Sequence, residues 1–401
     1  MNKIVLALLI LLSVSFTACS QNRSVATPQE QPTQNKQVTV PQKENNLPGK
    51  TKLSPEGITM QVLSTAEDLV DFSEFINQNQ EQQPADIIWT LENDIDLTGI
   101  EWIPIGVAHW EEETGMSDWK DKGFSGVFDG QNHRIIGLEL LGKEVYTTGF
   151  FGKLCGTATI KNLHVQGDVI GENNVGGLVG MAGGGYEESQ TIIENCSFTG
   201  TVNAISDSVG GLIGCTGERT QVIRCYADAQ VTGGTSVGGL IGTANNESSI
   251  SDSYCRGVVN AQLPEKNELK MGIKHQAKWG TYLPDEIQLS MIGGFAGGTF
   301  NADINRCYSD VIVNAYAPAR MLGAFIGYYS GRDNSCYYNA EKNANWKIGY
   351  AYSGTDSSFT AKPLNNEQFK LKDSFAGFDF DTVWAMDNQN GTPVLINSNN
   401  T

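Results

Sequence analysis

From residue 160 onward, apolar and polar positions alternate with a period of two, and the alternation restarts at regular intervals. The stretches IKNLHVQGDV, IENCSFTGTV, VIRCYADAQV, ISDSYCRGVV and INRCYSDVIV share one template: apolar first, cysteine, leucine or serine fourth, valine tenth. The fourth and tenth positions never slip, running Leu163 to Val169, Cys196 to Val202, Cys225 to Val231, Ser253 to Val259 and Cys307 to Val313. A strict period of two predicts short strands with alternate side chains on opposite faces. Between the copies lie GFFG, GGLVG, GGLIG, GGLIG, GGFAG and GAFIG, which set a repeat of about 28 residues. One such unit cannot bury its apolar side, whereas stacked copies bury a continuous column. The expected fold is therefore all-β, a right-handed parallel β-helix over 53–340. Its eight to ten coils from Ile87 to about Ala340, about 4.8 Å apart, would make a rod of about 40 to 45 Å.

Alternation also assigns side chains to faces. The cysteines at the fourth position (Cys196, Cys225, Cys307 and Cys336) should point inward as a ladder of small apolar groups. The next residue should point outward, which makes Tyr226, Tyr254, Tyr308 and Tyr337 a candidate aromatic strip, continued by His164 and Ser197. A solenoid must cover its open ends. Ser64-Thr65-Ala66-Glu67 reads as a capping box, with Leu69, Phe72 and Ile76 on one face of a helix over about 64–79 that lids the first coil. After the repeats fade, Phe375, Phe378, Phe380 and Trp384 supply apolar mass to a C-terminal cap over 341–401.

The chain opens with Lys3, the apolar run Ile4 to Leu12, and small residues leading to Cys19, a pattern of export signals. Phe16-Thr17-Ala18-Cys19 resembles the lipobox of bacterial lipoproteins, with Phe16 where an aliphatic residue is usual. The resemblance implies a signal peptide over 1–18, lipidation of Cys19 and an outer-membrane lipoprotein facing the periplasm or the cell surface. Residues 19–52, rich in Gln, Asn, Pro, Thr and Lys and free of aromatics, read as a disordered tether. The net charge of −18 opposes nucleic acid as a partner. Removing Cys19 to lipid leaves seven cysteines, an odd number that argues against a complete disulfide framework. No cofactor or metal is expected, because zinc would need Cys or His converging at CxxC-like spacing.

The glycine-cornered segments, each followed by an I-x-N-C-Y-like strand, resemble the GLUG motif of bacterial secreted proteins. DIIWTLENDIDLTGIEWIPIG, FSGVFDGQNHRIIGL and FDFDTVWAMDNQNGTPVL resemble segments found around such repeats, so the likeness runs from about 53 to 401. The resemblance is specific for fold and poor in chemistry. It is associated with IgA-cleaving peptidases, but this chain has no HExxH, and its histidines (His109, His133, His164 and His275) are scattered.

Candidate chemistry lies in two departures from the repeat. The insertion 260–290 gathers Lys274, His275, Trp279 and Tyr282 in an otherwise acidic chain, and the insertion 107–123 carries Trp110 and Trp119 among acidic residues. Aromatic platforms beside cationic donors suit glycans, and long loops on a rigid scaffold commonly carry binding. Asp94 with Asp96, and Asp379 with Asp381, have the separation of an inverting glycosidase pair but sit inside the framework segments. The reading is a monomeric, non-catalytic, lipid-anchored envelope protein, an adhesin or glycan-binding module whose ligand is a glycan or a host or envelope protein. A polysaccharide lyase or hydrolase and a structural spacer are the alternatives. Cys19→Ala is expected to shift the protein from the membrane to the soluble fraction on cell fractionation, and unchanged partitioning would remove the anchor.

Overall fold

The computed structural model describes residues 47–107, 122–142, 145–183, 190–204, 207–245, 247–262, 291–315, 321–343 and 359–396. These residues form a parallel β-solenoid of about seven turns, fewer than the repeat spacing suggested. Each coil has a first leg, such as Ile192–Glu194, and a longer second leg, such as Ser197–Ala204. Two short strands complete the circuit, for example Val209–Gly210 and Ile213–Thr216. The short strands stack five and six deep, while the legs form one larger sheet.

The register follows the template. Val169, Val202, Val231, Val259 and Val313 lie opposite one another in successive second legs. All seven described cysteines are buried and free, and those of the fourth position lie in the interior. Immediately before that position the chain turns its corner in the left-handed region: Asn162, Asn195, Arg224, Asp252, Arg306 and Ser335 have φ of 49–53°. Asn and Asp adopt this conformation readily, and an arginine there costs about 1 kcal/mol or more. The two corner arginines gain compensation from ion pairs with the preceding coil, Arg224 with Glu194 and Arg306 with Asp252.

The glycine segments have a different physical reason. Between the two short strands the chain reverses as a narrow wedge whose tip presses on the inner face of the second leg. A Cβ on Gly177 would meet the Phe198 ring at 2.1 Å, and one on Gly239 would meet Gly294 O at 2.3 Å and Cys255 Sγ at 3.0 Å. On the returning arm, a Cβ on Gly180, Gly214, Gly242 or Gly297 would fall within 2.6 Å of backbone atoms. These residues are glycine because neighbouring backbone or, at Gly177, the Phe198 ring leaves no room for a Cβ, not because of their dihedral angles.

The first coil is closed by the helix Ala66–Gln78, whose Leu69, Phe72 and Ile76 are buried. Phe72 packs on Trp89 at 4.5 Å, Phe128 at 5.6 Å and Phe124 at 5.9 Å. Its capping box is one residue later than the sequence suggested: Thr65 Oγ1 accepts from Asp68 N, and the Asp68 carboxylate accepts from Thr65 N and Ser64 N. Thr65 takes the role because Asp68 at its N3 position accepts from two N–H groups, while the Ser64 hydroxyl is turned to Glu92.

Both outermost strands carry residues that oppose further pairing. Lys50–Leu53 lies exposed and antiparallel against Thr59–Leu63 and bears Lys50 and Lys52. At the other end Lys362–Leu364 continues the ladder on Tyr337–Asn339 and contains Pro363, which has no N–H to offer. The wedge gives the sharpest test of the packing. Gly239→Ala is expected to destabilise the protein by about 3 kcal/mol, read as a lower midpoint in urea unfolding.

Candidate functional site on the outer face of the second legs

Side chains one residue past the inward cysteine column point away from the core, as alternation requires. His164, Ser197, Tyr226, Tyr254, Tyr308 and Tyr337 stand opposite one another in successive strands. The tyrosine rings stack, with centroids 5.0 Å apart and planes within 3° for Tyr226 on Tyr254 and 7° for Tyr254 on Tyr308.

This column is not the exposed strip expected from the sequence. Tyr226, Tyr254, Tyr308 and Tyr337 are all buried, under Leu364, Phe369, Phe375, Trp384, Val394 and Leu395. The C-terminal segment lies along the side of the solenoid as a strap, rather than only beyond its last coil. Polar bonds fasten it: Arg256 donates to Thr392 Oγ1 at 2.6 Å and Pro393 O at 3.0 Å, Tyr308 Oη to Pro393 O, and Tyr337 Oη to Ala376 O at 2.8 Å. Stacked rings use their faces on one another, so even without the strap the ladder would present ring edges, which are poor platforms for sugars.

Beyond the tyrosine column the second legs are covered only in part: Asp310 is buried against Asn339 and Lys342, and Arg256 is held by the strap. Gln166, Asp168 and Ile170 are exposed in one coil, Asp228 and Gln230 in another, and Ile312 and Asn314 in a third. Asn203, Thr232, Asn260 and Asn314 form an outward column at the far end of the legs, with Asn314 Nδ2 donating to Asn260 Oδ1 at 3.0 Å. Thr201 and Gln230 lie in the adjoining outward column with Asp168, to which the Thr201 hydroxyl donates. Cations cluster elsewhere. On the first legs and corners, Lys161 pairs with Asp129, Arg306 with Asp252 and Arg332 with Asp303, each reaching an acid of the preceding coil. The one arginine of the polar face, Arg256, turns to the strap.

The six insertion candidates lie outside the described residues: Lys274, His275, Trp279 and Tyr282 in 263–290, and Trp110 and Trp119 in 108–121. Cys19 lies outside them too. Their points of attachment are described. Residues 263–290 depart from Gln262, directly after the strand Tyr254–Ala261 that carries Asn260, and return at Met291. Residues 108–121 grow from the second short face, where Phe124 N bonds Lys153 O at 2.9 Å and a Cβ on Gly106 would lie 2.5 Å from Phe124 N. The two insertions thus spring from different faces.

Asp94, Asp96 and Asp379 are held below the usual carboxylate range, the opposite of the raised pKa that the general acid of glycoside hydrolysis needs. Asp94 is raised by burial, but its bonds from Arg134 N and Nε, both at 2.9 Å, bring it below the usual range. Asp96 is lowered by the Thr98 hydroxyl and N–H, and Asp379 by the Thr382 hydroxyl and the N–H groups of Asp381 and Thr382. Burial raises the thiols of Cys196, Cys255 and Cys307, and pushes Cys215 up to about 12, which keeps them protonated at neutral pH. No group of three or more His, Cys, Asp or Glu able to hold a metal occurs among the described residues.

One base does touch a hydroxyl: His164 Nδ1 lies 2.8 Å from Ser197 Oγ, and both residues are buried. Sequence alternation placed them in the outward column and missed their burial and contact.

The fold and this surface define a parallel β-solenoid with glycine-wedge coils and a lateral strap. Residues 171–203, one wedge with its following legs, match the GLUG motif family. An immunoglobulin A1 protease of Streptococcus pneumoniae is 33% identical over 124 residues, 27% of this chain and 6% of that protein. One from Streptococcus sanguinis is 27% identical over 211 residues, 44% of this chain and 11% of its own. Halomucin of Haloquadratum walsbyi is 34% identical over 95 residues, 23% of this chain and 1% of that protein. The chain thus matches only a small part of the length of these relatives. A crystal structure of a Bacteroides ovatus protein, described provisionally as an immunoglobulin A1 protease, superposes with a TM-score of 0.58 at 16% identity. It covers 86% of this chain and 94% of its own, a likeness of fold.

The buried imidazole yields a pH prediction. Burial, aided by the Arg134 charge, lowers His164 to about 4 from an ordinary 6.5. The unfolded chain therefore takes up the proton first, and this part of the stability is complete above pH 6.5 and lost as pH falls toward 4. The loss is of the order of 3 kcal/mol. Thermal melts from pH 7 to pH 4 should show it, and His164→Gln should flatten that part of the profile.

Proposed function

We propose that this protein is an exported, non-catalytic binding protein of the bacterial cell envelope, lipid-anchored through Cys19, that captures a glycan on the outer face of its second legs. The observation that carries the reading is the array of amide and hydroxyl side chains beside the strap, with Gln230 and Asn314 exposed and Thr201 and Asn260 half-buried. Exposed amides and hydroxyls on a rigid sheet offer paired donors and acceptors at fixed spacing, which is what hydroxyl-rich ligands require. Their side chains are pre-set by the strands beneath, so little ordering cost falls on binding. The insertion carrying Lys274, His275, Trp279 and Tyr282 is rooted at the rim of this face and would extend it; Trp110 and Trp119 would serve a second contact.

Export is supported by the apolar leader ending at Cys19. The names of the similar proteins, immunoglobulin A1 protease and halomucin, agree with a role outside the cytoplasm. The test is retention of the chain from residue 47 onward on immobilised polysaccharides, with released sugar measured in the same samples. Retention without product, weakened by Gln230→Ala with an unchanged melting temperature, is expected. Released product would instead establish a polysaccharide-active enzyme, and absence of retention on every polysaccharide would defeat the binding reading.

A further inference from the structure

The inward column at the fourth position of the template runs from coil to coil as Leu163, Cys196, Cys225, Ser253, Cys307 and Cys336. Its register sets Cys196 beside Cys225, where Tyr226 N donates to Cys196 O at 3.1 Å, and Cys307 beside Cys336, where Tyr337 N donates to Cys307 O at 3.0 Å. All four are thiols in this structure. Neighbouring coils lie about 4.8 Å apart, inside the range of about 4.4 to 6.8 Å that disulfide-bonded Cα atoms span. The thiols also act on one another: burial, and after it the thiol of Cys225, raises Cys196, and burial with the thiol of Cys336 does the same to Cys307.

Ser253 decides which cysteines can pair. It stands between Cys225 and Cys307, its hydroxyl donating to Ser251 O at 2.7 Å and accepting from Cys225 N at 3.0 Å. Leu163 precedes Cys196 in the column and Ala361 follows Cys336. Each cysteine of the column therefore has a single cysteine neighbour, and only one arrangement of two bonds is open to it. Cys155, Cys215 and Cys255 lie outside the column, with Cys215 Sγ accepting from Asn245 Nδ2 at 3.2 Å and Cys255 donating to Gly294 O at 3.1 Å. An odd total of cysteines is no obstacle to two bonds. Small volume admits a thiol to this column, and the pairing follows separately from the register.

We propose that Cys196 with Cys225, and Cys307 with Cys336, are the sites of two disulfide bonds that join adjacent coils when the exported chain folds in an oxidising compartment. This rests on the export part of the reading above and is independent of the ligand. The oxidant is a carrier disulfide of the thiol–disulfide oxidoreductase class. The thiolate of one cysteine attacks a carrier sulfur, and the other carrier sulfur leaves and takes up a proton. The thiolate of the second cysteine then attacks the first cysteine's sulfur and expels the remaining carrier sulfur as a thiol. Each pair gives up two protons and two electrons, and the carrier gains them. Burial keeps the finished thiols protonated and out of reach, so the exchange belongs to the folding chain, before the interior closes. The coil of Ser253 stays unbridged, and its second leg, Tyr254–Ala261, leads to the insertion 263–290. Two covalent joints thereby bracket the coil that carries the longer insertion.

The experiment is two-stage cysteine labelling of the full chain, expressed with its own leader in a bacterium whose envelope oxidises thiols and read site by site by mass spectrometry. Cell fractions are quenched in acid, denatured and alkylated with one reagent, then reduced and alkylated with a second. In the envelope fraction Cys196, Cys225, Cys307 and Cys336 should have lost the first label and carry the second in most molecules, while Cys155, Cys215 and Cys255 carry the first. Digestion without reductant should release Cys196 linked to Cys225 and Cys307 linked to Cys336. Cys225→Ser should return Cys196 to the first label and leave the Cys307 to Cys336 bond in place. First label on the four column cysteines of envelope-located chains, or a bond from Cys196 to any cysteine other than Cys225, would overturn the proposal and leave export standing. A chain confined to the cytoplasm would overturn the export reading and the proposal with it.

Discussion

The contact on which the fold depends is the approach of a glycine wedge to the inner face of the second leg. Backbone there lies so near to Phe198, Ala227, Cys255 and Ser309 that a methyl group has no room. Neighbouring coils hydrogen-bond as parallel strands, and the wedge fixes the cross-section those strands enclose. Interior volume must then be supplied by modest side chains, so valines, isoleucines and cysteines recur where larger residues would force the wedge away. The interior cysteines follow from this constraint: a thiol is small and apolar enough for the column and needs no chemical role to be there.

A second body of apolar contact lies outside that tube. The tyrosine ladder and the strap form their own cluster, separate from the solenoid interior, and the strap spans coils that otherwise touch only their neighbours. Arg256 on one coil reaches Thr392, 136 residues away. In a repeat protein each unit is stabilised mainly by the next, and stability is close to a sum of local terms. A strap bonded to Arg256, Tyr308 and Tyr337 couples those terms. It covers the tyrosine column and reaches the next one through Arg256, while Gln230, Ile312 and Asn314 stay exposed.

The solenoid was legible in the sequence because backbone hydrogen bonding enforces its repetition: a six-residue interval that never slips can only be a register. The same rule placed the tyrosines outward and the cysteines inward, and both orientations hold. What alternation cannot report is what lies over an outward residue. The strap is a single non-repeating segment, and its docking is a tertiary contact between residues such as Tyr308 and Phe375 with no periodic trace. A signal did exist in the aromatic balance: Phe369, Phe375, Phe378 and Trp384 have no repeat partner, and the tyrosine column had no cover. The helix cap shifted by one residue because Ser64 and Thr65 compete for the same role, which only the reach of Asp68 decides.

The neck beneath residues 108–121 has a consequence for how such a scaffold changes over time. Gly106 and Phe124 are in contact, so the coil is completed underneath whatever is inserted between them. Loop-closure entropy grows only with the logarithm of loop length, about 0.6 kcal/mol for each doubling. Enlarging the inserted segment therefore draws little from the stability of the stack, and its composition is almost free of the packing rules that govern the repeats. A module built this way separates two rates of divergence. The coils stay near one template because the wedge leaves no space, while the segments at their necks can be lengthened, replaced or lost one at a time.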